Sequence, residues 1–245
     1  MADAGETAAA FSYKPLYLQV RDSLVRRLIN GTWQPGQLIP SEMDLAREVG
    51  VSQGTIRKAL DVMTAESLLV RRQGRGTFVA EPEEGRLLFR YFRMASDGGE
   101  RAFPESNVIS AGGGSADAEQ AALLGIAAGA ETWRIDRMRS LEGRPMIAEH
   151  ITLPAERFPG LDAAQSIPNN VYRLYSDRWG ITIGRASERL KAVPASASDA
   201  KQLGCPPSAP LLEISRVAFD LENRPVELRV SRCLTDGFHY SSELR

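Results

Sequence analysis

Apolar residues recur every four positions near the start of the chain. Leu16, Val20, Leu24 and Leu28 share one face of a helix that this spacing predicts from about Pro15 to Asn30. A glycine follows immediately, as is typical where a helix ends. The segment is therefore predicted to be a helix with one buried face.

Two shorter helices are predicted next. Ser41 and Asp44 have the spacing of a capping box, so the first of them begins after Ser41 and ends at Gly50. Ser52 caps the other, whose inward-facing residues are Ile56, Leu60 and Met63. Two helices joined by a short turn that contains glycine form a helix-turn-helix arrangement.

A β-hairpin is predicted after these helices. Its strands are Leu69–Arg72 and Thr77–Ala80, and they are joined by Gln73-Gly74-Arg75-Gly76. The glycines beside Arg75 let the tip approach a DNA backbone, where the guanidinium reaches phosphate or the minor groove. A hairpin in this position is called a wing, and the whole arrangement is then a winged helix-turn-helix. The alternative is a protein-binding unit whose outer charges are simply solvated.

The charges are divided unevenly along the chain. The whole sequence has 30 basic and 31 acidic residues, a net charge of −1. Residues 11–80 hold 10 basic and 6 acidic residues, whereas residues 81–245 hold 20 and 23. A basic first domain joined to an acidic second one is therefore expected, although the total is nearly neutral.

Length and composition indicate the number of domains and the cellular compartment. At 245 residues, 43% hydrophobic and 25% charged, the chain is typical of a globular protein with one or two domains. We expect a disordered tail (1–10), a winged domain (11–80), a linker (81–86) and a second domain (87–245). No secretory signal or membrane span is predicted, and the two cysteines indicate reduced thiols in the cytoplasm.

The second helix of the pair has the width of a major groove, where its first residues would meet base edges. The predicted DNA-binding residues belong to this helix, to the two caps and to the hairpin tip. They are Ser41, Ser52, Gln53, Thr55, Arg57, Lys58, Gln73, Gly74, Arg75, Gly76 and Thr77.

A series of motifs at consistent spacing covers almost all of residues 11–80. They are Pro15-Leu16-Tyr17, Pro35-Gly36, Ile39-Pro40-Ser41-Glu42, Leu45-Ala46, Val51-Ser52, Thr55-Ile56-Arg57-Lys58-Ala59-Leu60 and Gln73-Gly74-Arg75-Gly76-Thr77-Phe78-Val79. These motifs resemble the winged helix of GntR-family bacterial transcription regulators. The resemblance implies that Arg57 contacts a base. Met43 and Gln53 stand where the family usually has arginine, so we expect an operator unlike the commonest type.

The second domain contains an internal repeat. The first copy, Leu124-Gly125, Ile135, Arg137 and Leu141-Glu142-Gly143-Arg144-Pro145, recurs 79 or 80 residues later as Leu203-Gly204, Ile214, Arg216 and Leu221-Glu222-Asn223-Arg224-Pro225. Each copy predicts a helix, a strand, a tight turn and a returning strand. Two such units imply an antiparallel sheet with approximate twofold symmetry and a pocket at the seam.

Charged residues interrupt the apolar faces of these strands. Arg137 and Arg139 follow apolar residues on one face, and Glu149 lies among aliphatic residues on the returning strand. Glu227 and Arg229 share a face in the second copy. Buried charges must be paired or must bind a ligand. Either a ligand site or an internal ion pair between Glu149 and the arginines satisfies this requirement.

A looser set of motifs extends through residues 86–245. They are Arg137-Met138-Arg139, Arg144-Pro145 with Glu149, Phe158-Pro159-Gly160-Leu161, Val171-Tyr172, Trp179-Gly180-Ile181, Leu203-Gly204, Pro210-Leu211-Leu212 and Pro225-Val226-Glu227. This region resembles the effector-binding UTRA domain of the HutC subfamily, which has a chorismate-lyase-like fold. The resemblance implies a pocket for a small, often anionic metabolite. Its candidate residues are Arg93, Arg137, Arg139, Glu149, Asn170, Tyr172, Glu227 and Arg229.

Three departures from the subfamily bear on the ligand. Asn170 replaces a serine, and Leu234-Thr235-Asp236-Gly237-Phe238 replaces a run that usually holds two arginines and a tyrosine. Arg229 adds a cation where serine is common. A small carboxylate or other anion is therefore expected rather than a sugar phosphate.

Catalysis is the main alternative function. Neither His150 nor His239 has zinc-ligand spacing, and no nucleophile elbow or phosphate loop is present. The triplet Gly112–Gly114 lacks dinucleotide-binding spacing and is predicted to be a flexible loop. A lyase that uses the second-domain pocket and an architectural DNA-binding protein remain as alternatives.

The sequence as a whole predicts an α+β protein: a winged helix-turn-helix domain followed by an antiparallel sheet domain with helices. The predicted function is a transcription regulator, a repressor whose affinity for its operator depends on a small anion. We expect a homodimer on double-stranded operator DNA, with no cofactor, no metal and no membrane contact.

Overall fold

The computed structural model describes residues 14–80, 91–98, 104–141, 143–161 and 167–242. The chain divides into two units, residues 1–81 and 82–245. The tail predicted over 1–10 and the linker predicted over 81–86 lie outside the described residues.

The first unit contains the three predicted helices and the hairpin. Its elements are α1 (Leu16–Ile29), α2 (Glu42–Val49), α3 (Gln53–Ala65), β1 (Leu69–Arg72) and β2 (Gly76–Val79). β2 begins and ends one residue earlier than predicted, because Arg72 pairs with Gly76 and leaves a loop of residues 73–75. The mixed helix and sheet composition confirms the predicted fold class.

Short polar caps define the helix pair. The Ser41 hydroxyl accepts from the Asp44 backbone N–H at 3.2 Å, and the Ser52 hydroxyl accepts from the Thr55 N–H at the same distance. Gly50 ends α2 with a φ of 74°, a left-handed conformation that favours glycine. These local bonds fix the start of both helices, as the sequence predicted.

The core of the first unit lies between α1, α3 and the hairpin. Val20, Leu24 and Val25 are the buried residues of α1, whereas Leu16, predicted on the same face, is 50% exposed. Residues 36–39 extend the hairpin, since Gly36 donates to the Val79 carbonyl and Ile39 donates to that of Thr77. The second strand of the hairpin is thus hydrogen-bonded to the segment that precedes α2.

The second unit is built on a six-stranded antiparallel sheet. Its elements are β3 (Met94–Ser96), β4 (Glu105–Ser115), α4 (Ala118–Leu124), β5 (Glu131–Leu141), β6 (Arg144–Pro154), a 3₁₀ turn (Ala155–Arg157), α5 (Val171–Trp179), β7 (Ile183–Pro194), α6 (Ala197–Leu203), β8 (Pro210–Asp220), β9 (Pro225–Cys233) and β10 (Phe238–Tyr240). The strand order is β4-β5-β6-β9-β8-β7, and β3 pairs with β10 in a separate two-stranded sheet.

The strand order matches the internal repeat. Strand, helix, strand and strand (β4, α4, β5, β6) recur as β7, α6, β8 and β9, and the two copies meet at the central β6–β9 pair. The repeat extends further than the sequence indicated, because each copy also begins with a long strand. The predicted sheet with approximate twofold symmetry is therefore present.

The helices of the repeat cover one face of the sheet. Leu124 of α4 packs with Val217 and Leu228 of the other copy, and Leu203 of α6 packs with Met138 and Ala148 of the first. Each copy thus shields the strands of the other. The opposite face is left to α5, the 3₁₀ turn and β3.

The glycine triplet is not a loop, and that prediction was wrong. Gly112–Gly114 lie within β4 and pair with β5. A Cβ atom on Gly114 would lie 2.5 Å from Nε of Arg134, whose guanidinium donates to the Ser115 carbonyl at 2.6 Å. Glycine makes room here for an arginine that crosses the strand.

Among the described residues, none of the helices has both the length and the apolar content that a membrane span requires.

Candidate DNA interface and effector cavity

The predicted DNA-binding residues lie largely on the surface of the first unit. Thr55 and Thr77 are half-buried, and the other nine are exposed. Gln53, Arg57 and Lys58 occupy the first turn and a half of α3, while Gln73–Gly76 form the tip of the hairpin. The fold thus leaves these two polar, basic elements on the surface, because their side chains are not needed in the core.

Glu42 at the start of α2 orients the polar face of α3. Its carboxylate accepts from the Arg57 Nε at 3.0 Å and from the Gln53 amide at 3.3 Å, and it lies 3.6 Å from Arg71 of β1. The bond from Arg57 is the main cause that lowers the pKa of Glu42, so the carboxylate stays ionised. Glu42 belongs to the Ile39-Pro40-Ser41-Glu42 motif but is absent from the predicted DNA-binding residues.

Arg75 stands between two glycines that the turn requires. Gly74 and Gly76 have φ angles of 68° and 106°, and the Arg75 N–H donates to the Arg72 carbonyl at 2.9 Å. A Cβ atom on Gly76 would lie 2.8 Å from the Leu38 side chain. The exposed arginine is therefore carried on a tightly constrained tip.

A cavity of about 50 Å³ lies in the second unit, beneath the start of α5. Strands β5, β6, β8 and β9 form its floor, and residues 91–94 form one side. Seven of the eight predicted effector residues line it: Arg93, Arg137, Arg139, Glu149, Asn170, Tyr172 and Arg229. Residues far apart in sequence are thus brought to one place.

Glu149 is compensated by three guanidinium groups. Its carboxylate lies 2.5 Å from Arg137, 3.4 Å from Arg139 and 3.6 Å from Arg229. Burial alone would raise the pKa of Glu149, but the three positive charges outweigh it and hold this pKa well below the usual range. The internal ion pair considered from the sequence is formed, and its members also line the cavity.

Glu227 lies behind the cavity wall rather than on it. This fully buried carboxylate accepts two bonds from Arg229, at 2.8 and 2.9 Å. It also accepts from the hydroxyls of Tyr172 (3.0 Å) and Tyr175 (2.8 Å). Glu227, predicted as an effector residue, therefore does not line this cavity, because the Arg229 guanidinium and the tyrosine hydroxyls bind its carboxylate.

Arg216 is a cavity residue that the predicted set lacked. It is 8% exposed, pairs with Glu188 at 2.5 Å and donates to the backbone carbonyl of Tyr91. Arg216 corresponds to Arg137 in the internal repeat, so the repeat contained the signal that would have found it. Its partner on the adjacent strand β9 is Arg229.

Two asparagines add polar groups where α5 begins. The Asn169 carbonyl accepts from Arg137 at 3.1 Å, and its side-chain oxygen accepts from Arg139 at 3.3 Å. Asn170 caps α5 by accepting from the Arg173 N–H. The buried Nδ2 of Asn170 has no acceptor among the described residues, so it can donate to a ligand.

The segment Tyr91–Arg93 connects the cavity to the chain that leads from the first unit. Arg216 holds the Tyr91 carbonyl, and the Arg139 guanidinium lies 4.9 Å from the centre of the Phe92 ring. The Tyr91 and Tyr172 rings pack edge to face, and their centres are 5.4 Å apart. The cavity arginines therefore contact this segment directly.

No group of three or more histidine, cysteine or acidic residues suited to a metal ion occurs within the described part of the chain.

Comparison with known proteins assigns each of the two units to a protein family. Residues 16–79 match the model of the gntR family of bacterial regulatory proteins, and residues 100–239 match the UTRA domain. The chain belongs to the GntR family of regulators with a UTRA domain. As such it is a DNA-binding transcription regulator with a C-terminal effector-binding domain, and the enzyme alternative has no support.

Individual relatives agree with this assignment. The transcriptional repressor NagR of Bacillus subtilis is 32% identical over 206 residues, or 84% of each chain. The histidine utilization repressor of Pseudomonas putida is 40% identical over 116 residues, or 47% of each chain. A solved ligand-binding domain from Bordetella bronchiseptica, assigned to a GntR-family regulator, is 34% identical with a TM-score of 0.59, and the match covers 64% of this chain and 98% of that domain.

Proposed function

We propose that this GntR-family chain is a cytoplasmic repressor whose operator affinity falls when a small anionic metabolite enters the arginine-lined cavity. One observation carries the anionic part of the proposal. Arg137, Arg139, Arg216 and Arg229 are each less than 9% exposed, and all four line the same small cavity. Buried guanidinium groups that meet at a cavity favour an anionic occupant.

The proposed interface with DNA is the first part of α3 together with the hairpin tip. The exposed side chains of Gln53, Arg57 and Lys58 would meet base edges and phosphates in a major groove, and Arg75 would reach the backbone or the minor groove. A dimer would place two such units on a palindromic operator. The basic excess of each first unit is small, so two units would be needed for tight binding.

The route proposed between the two functions is the segment Tyr91–Arg93. An anion bound to Arg216 would compete with the Tyr91 carbonyl for the same guanidinium. Displacement of this segment would move the chain that leads back to the first unit. The effector must then favour the arrangement with weaker DNA binding.

The DNA-binding part is tested with a duplex selected from a random library by the wild-type chain. Arg57→Gln should weaken binding by about tenfold to a hundredfold and relax the base preference at one position of each half-site. Arg185→Gln removes an equal charge in the second unit and should change binding little. Failure of the wild-type chain to select any sequence would contradict the proposal.

A further inference from the structure

The amide of Gln53, the first residue of α3, is held by a carboxylate of the neighbouring helix. Its Nε2 donates to Oε2 of Glu42 at 3.3 Å. An ionised carboxylate only accepts hydrogen bonds, so the nitrogen of the amide must face Glu42 and the amide oxygen must point away from it. This contact therefore selects one of the two flipped orientations of the amide.

The same oxygen of Glu42 also holds Arg57, one turn further along α3. It accepts from Nε of Arg57 at 3.0 Å and lies 2.9 Å from Nη2. Residues four positions apart lie on one face of a helix, so Gln53 and Arg57 are held side by side on the surface that is proposed to enter the major groove. One carboxylate thus orients two side chains that the DNA would meet.

These two side chains present different hydrogen-bonding groups to the solvent. With one N–H directed at Glu42, the Gln53 amide keeps its oxygen as an acceptor and its second N–H as a donor. With Nε and one side of Nη2 directed at Glu42, the Arg57 guanidinium keeps donors only. Neither of these remaining edges is hydrogen-bonded within the described part of the chain.

The hydroxyl groups near the start of α3 are engaged in helix caps. The hydroxyls of Ser52 and Thr55 bond to each other at 2.9 Å, and that of Ser52 also accepts from the Thr55 N–H. The Ser41 hydroxyl donates to the Asp44 carboxylate at 2.6 Å. The Gln53 amide is therefore the group at this helix start, among the described residues, that offers a donor and an acceptor together.

The edge that Gln53 presents matches one base better than the others. In the major groove adenine presents N7 as an acceptor and N6–H as a donor, whereas guanine presents two acceptors, N7 and O6. The acceptor and donor of Gln53 complement adenine. A guanine at the same place would bring O6 against the amide oxygen, which Glu42 keeps from turning away. Discrimination between the two purines thus depends on Glu42 as well as on Gln53.

We propose that Gln53 recognises an adenine in each operator half-site and that Glu42 is the positioning residue that orients its amide for this base. The adenine lies within about two base-pair steps of the base that Arg57 contacts, because four residues of α3 rise about 6 Å and base pairs are about 3.4 Å apart. This inference rests on the proposed DNA interface and specifies one base of its target.

The first experiment compares the sequences that the full wild-type chain and Gln53→Arg select from a random duplex library. Arginine presents donors only, so Gln53→Arg should change one adenine of each half-site to guanine. The matched control is Gln19→Arg, which adds the same charge at an exposed residue of α1 outside the proposed interface and should select the wild-type operator. An unchanged operator in Gln53→Arg would overturn the inference.

Base analogues test the contact at the level of single atoms. At the adenine so identified, 7-deazaadenine removes the N7 acceptor and unsubstituted purine removes the N6 donor. Each analogue should weaken binding of the wild-type chain about threefold or more, measured by fluorescence anisotropy at constant salt concentration. Gln53→Ala has neither polar group and should not respond to either analogue. No loss in the wild type, or an equal loss in Gln53→Ala, would overturn the inference.

The role of Glu42 is measured as the ratio of two Kd values, for operators with guanine and with adenine at this position. Glu42→Gln supplies an amide that can donate or accept, so Gln53 can flip and the ratio should fall about threefold or more. Removing a negative charge raises the affinity for any DNA, which makes the ratio the informative quantity. Glu48→Gln removes a carboxylate that pairs with Arg27 at the other end of α2 and should keep the wild-type ratio. Equal ratios in the two variants would contradict the positioning role.

The outcomes separate this inference from the proposed function. If Arg57→Gln relaxes one base of the operator while Gln53→Arg changes none, the inference is overturned and the proposed DNA interface stands. If the wild-type chain selects no sequence, both are overturned together. Thermal unfolding confirms that each variant compared is folded.

Discussion

Glu149 shows at the scale of one residue how the cavity is held together. Its carboxylate is 4% exposed and contacts Arg137, Arg139 and Arg229. Removing it would leave three buried guanidinium groups around an uncharged side chain. Breaking a buried ion pair in this way typically lowers the free energy of unfolding by about 3–5 kcal/mol.

We therefore expect Glu149→Gln to lower the free energy of unfolding at pH 7 by that amount in urea titrations. The pKa of Glu149 is lower in the folded state than in the unfolded state, so its stabilisation is present above about pH 4.3 and is lost as the pH falls. The difference between wild type and Glu149→Gln should thus shrink at pH 3.5. Glu213→Gln, which breaks a more exposed pair with Arg232, should cost about 1 kcal/mol or less. Equal losses in the two variants would contradict this account.

Strand β4 shows how an element can depend on a distant side chain. Gly114→Ala would displace the Arg134 guanidinium and its bond to the Ser115 carbonyl, at a cost of about 1 kcal/mol in the free energy of unfolding. Gly113→Ala is the control, because nothing lies within 4 Å of its Cβ position. Thermal unfolding should rank Gly114→Ala below Gly113→Ala, and the difference should vanish in an Arg134→Ala background. A difference that persists there would rule out the arginine as its cause.

The segment Tyr91–Arg93 gives a second prediction for an element. Arg216→Gln removes the guanidinium that holds the Tyr91 carbonyl, so backbone amides in this segment should exchange hydrogen at least about tenfold faster. Arg185→Gln should leave their exchange unchanged. Hydrogen exchange measured by mass spectrometry on the full chain follows both. Unchanged exchange in Arg216→Gln would show that the contact does not restrain the segment.

Elements defined by local interactions could be predicted from the sequence, whereas some contacts between distant residues could not. Ser41, Gly50 and Ser52 predicted the helix pair, because caps act within three or four residues. The position of Gly114 in a strand depends on Arg134, twenty residues later. Glu227 lies on the expected face of its strand, but Arg229, Tyr172 and Tyr175 hydrogen-bond to its carboxylate and separate it from the cavity. This packing could not be read from the sequence.

The whole molecule joins a basic DNA-binding unit to an acidic unit that contains a cluster of arginines. The repeat predicted the sheet, and the charged residues on its apolar faces include four that line the cavity, Arg137, Arg139, Glu149 and Arg229. Arg216 can be recognised from the sequence only when the two copies of the repeat are aligned, because it then corresponds to Arg137. The proposed function requires coupling between the units, which would be a difference in free energy between two arrangements.

The affinity of the chain for its selected operator, measured by fluorescence anisotropy with and without the effector, tests this coupling most directly. The effector is taken as the compound that most raises the melting temperature in a panel of small carboxylates, amino acids and sugar phosphates. At constant ionic strength, the operator Kd should rise by about tenfold to a hundredfold when this compound is saturating. An operator Kd that stays unchanged while the compound is bound would contradict the central claim.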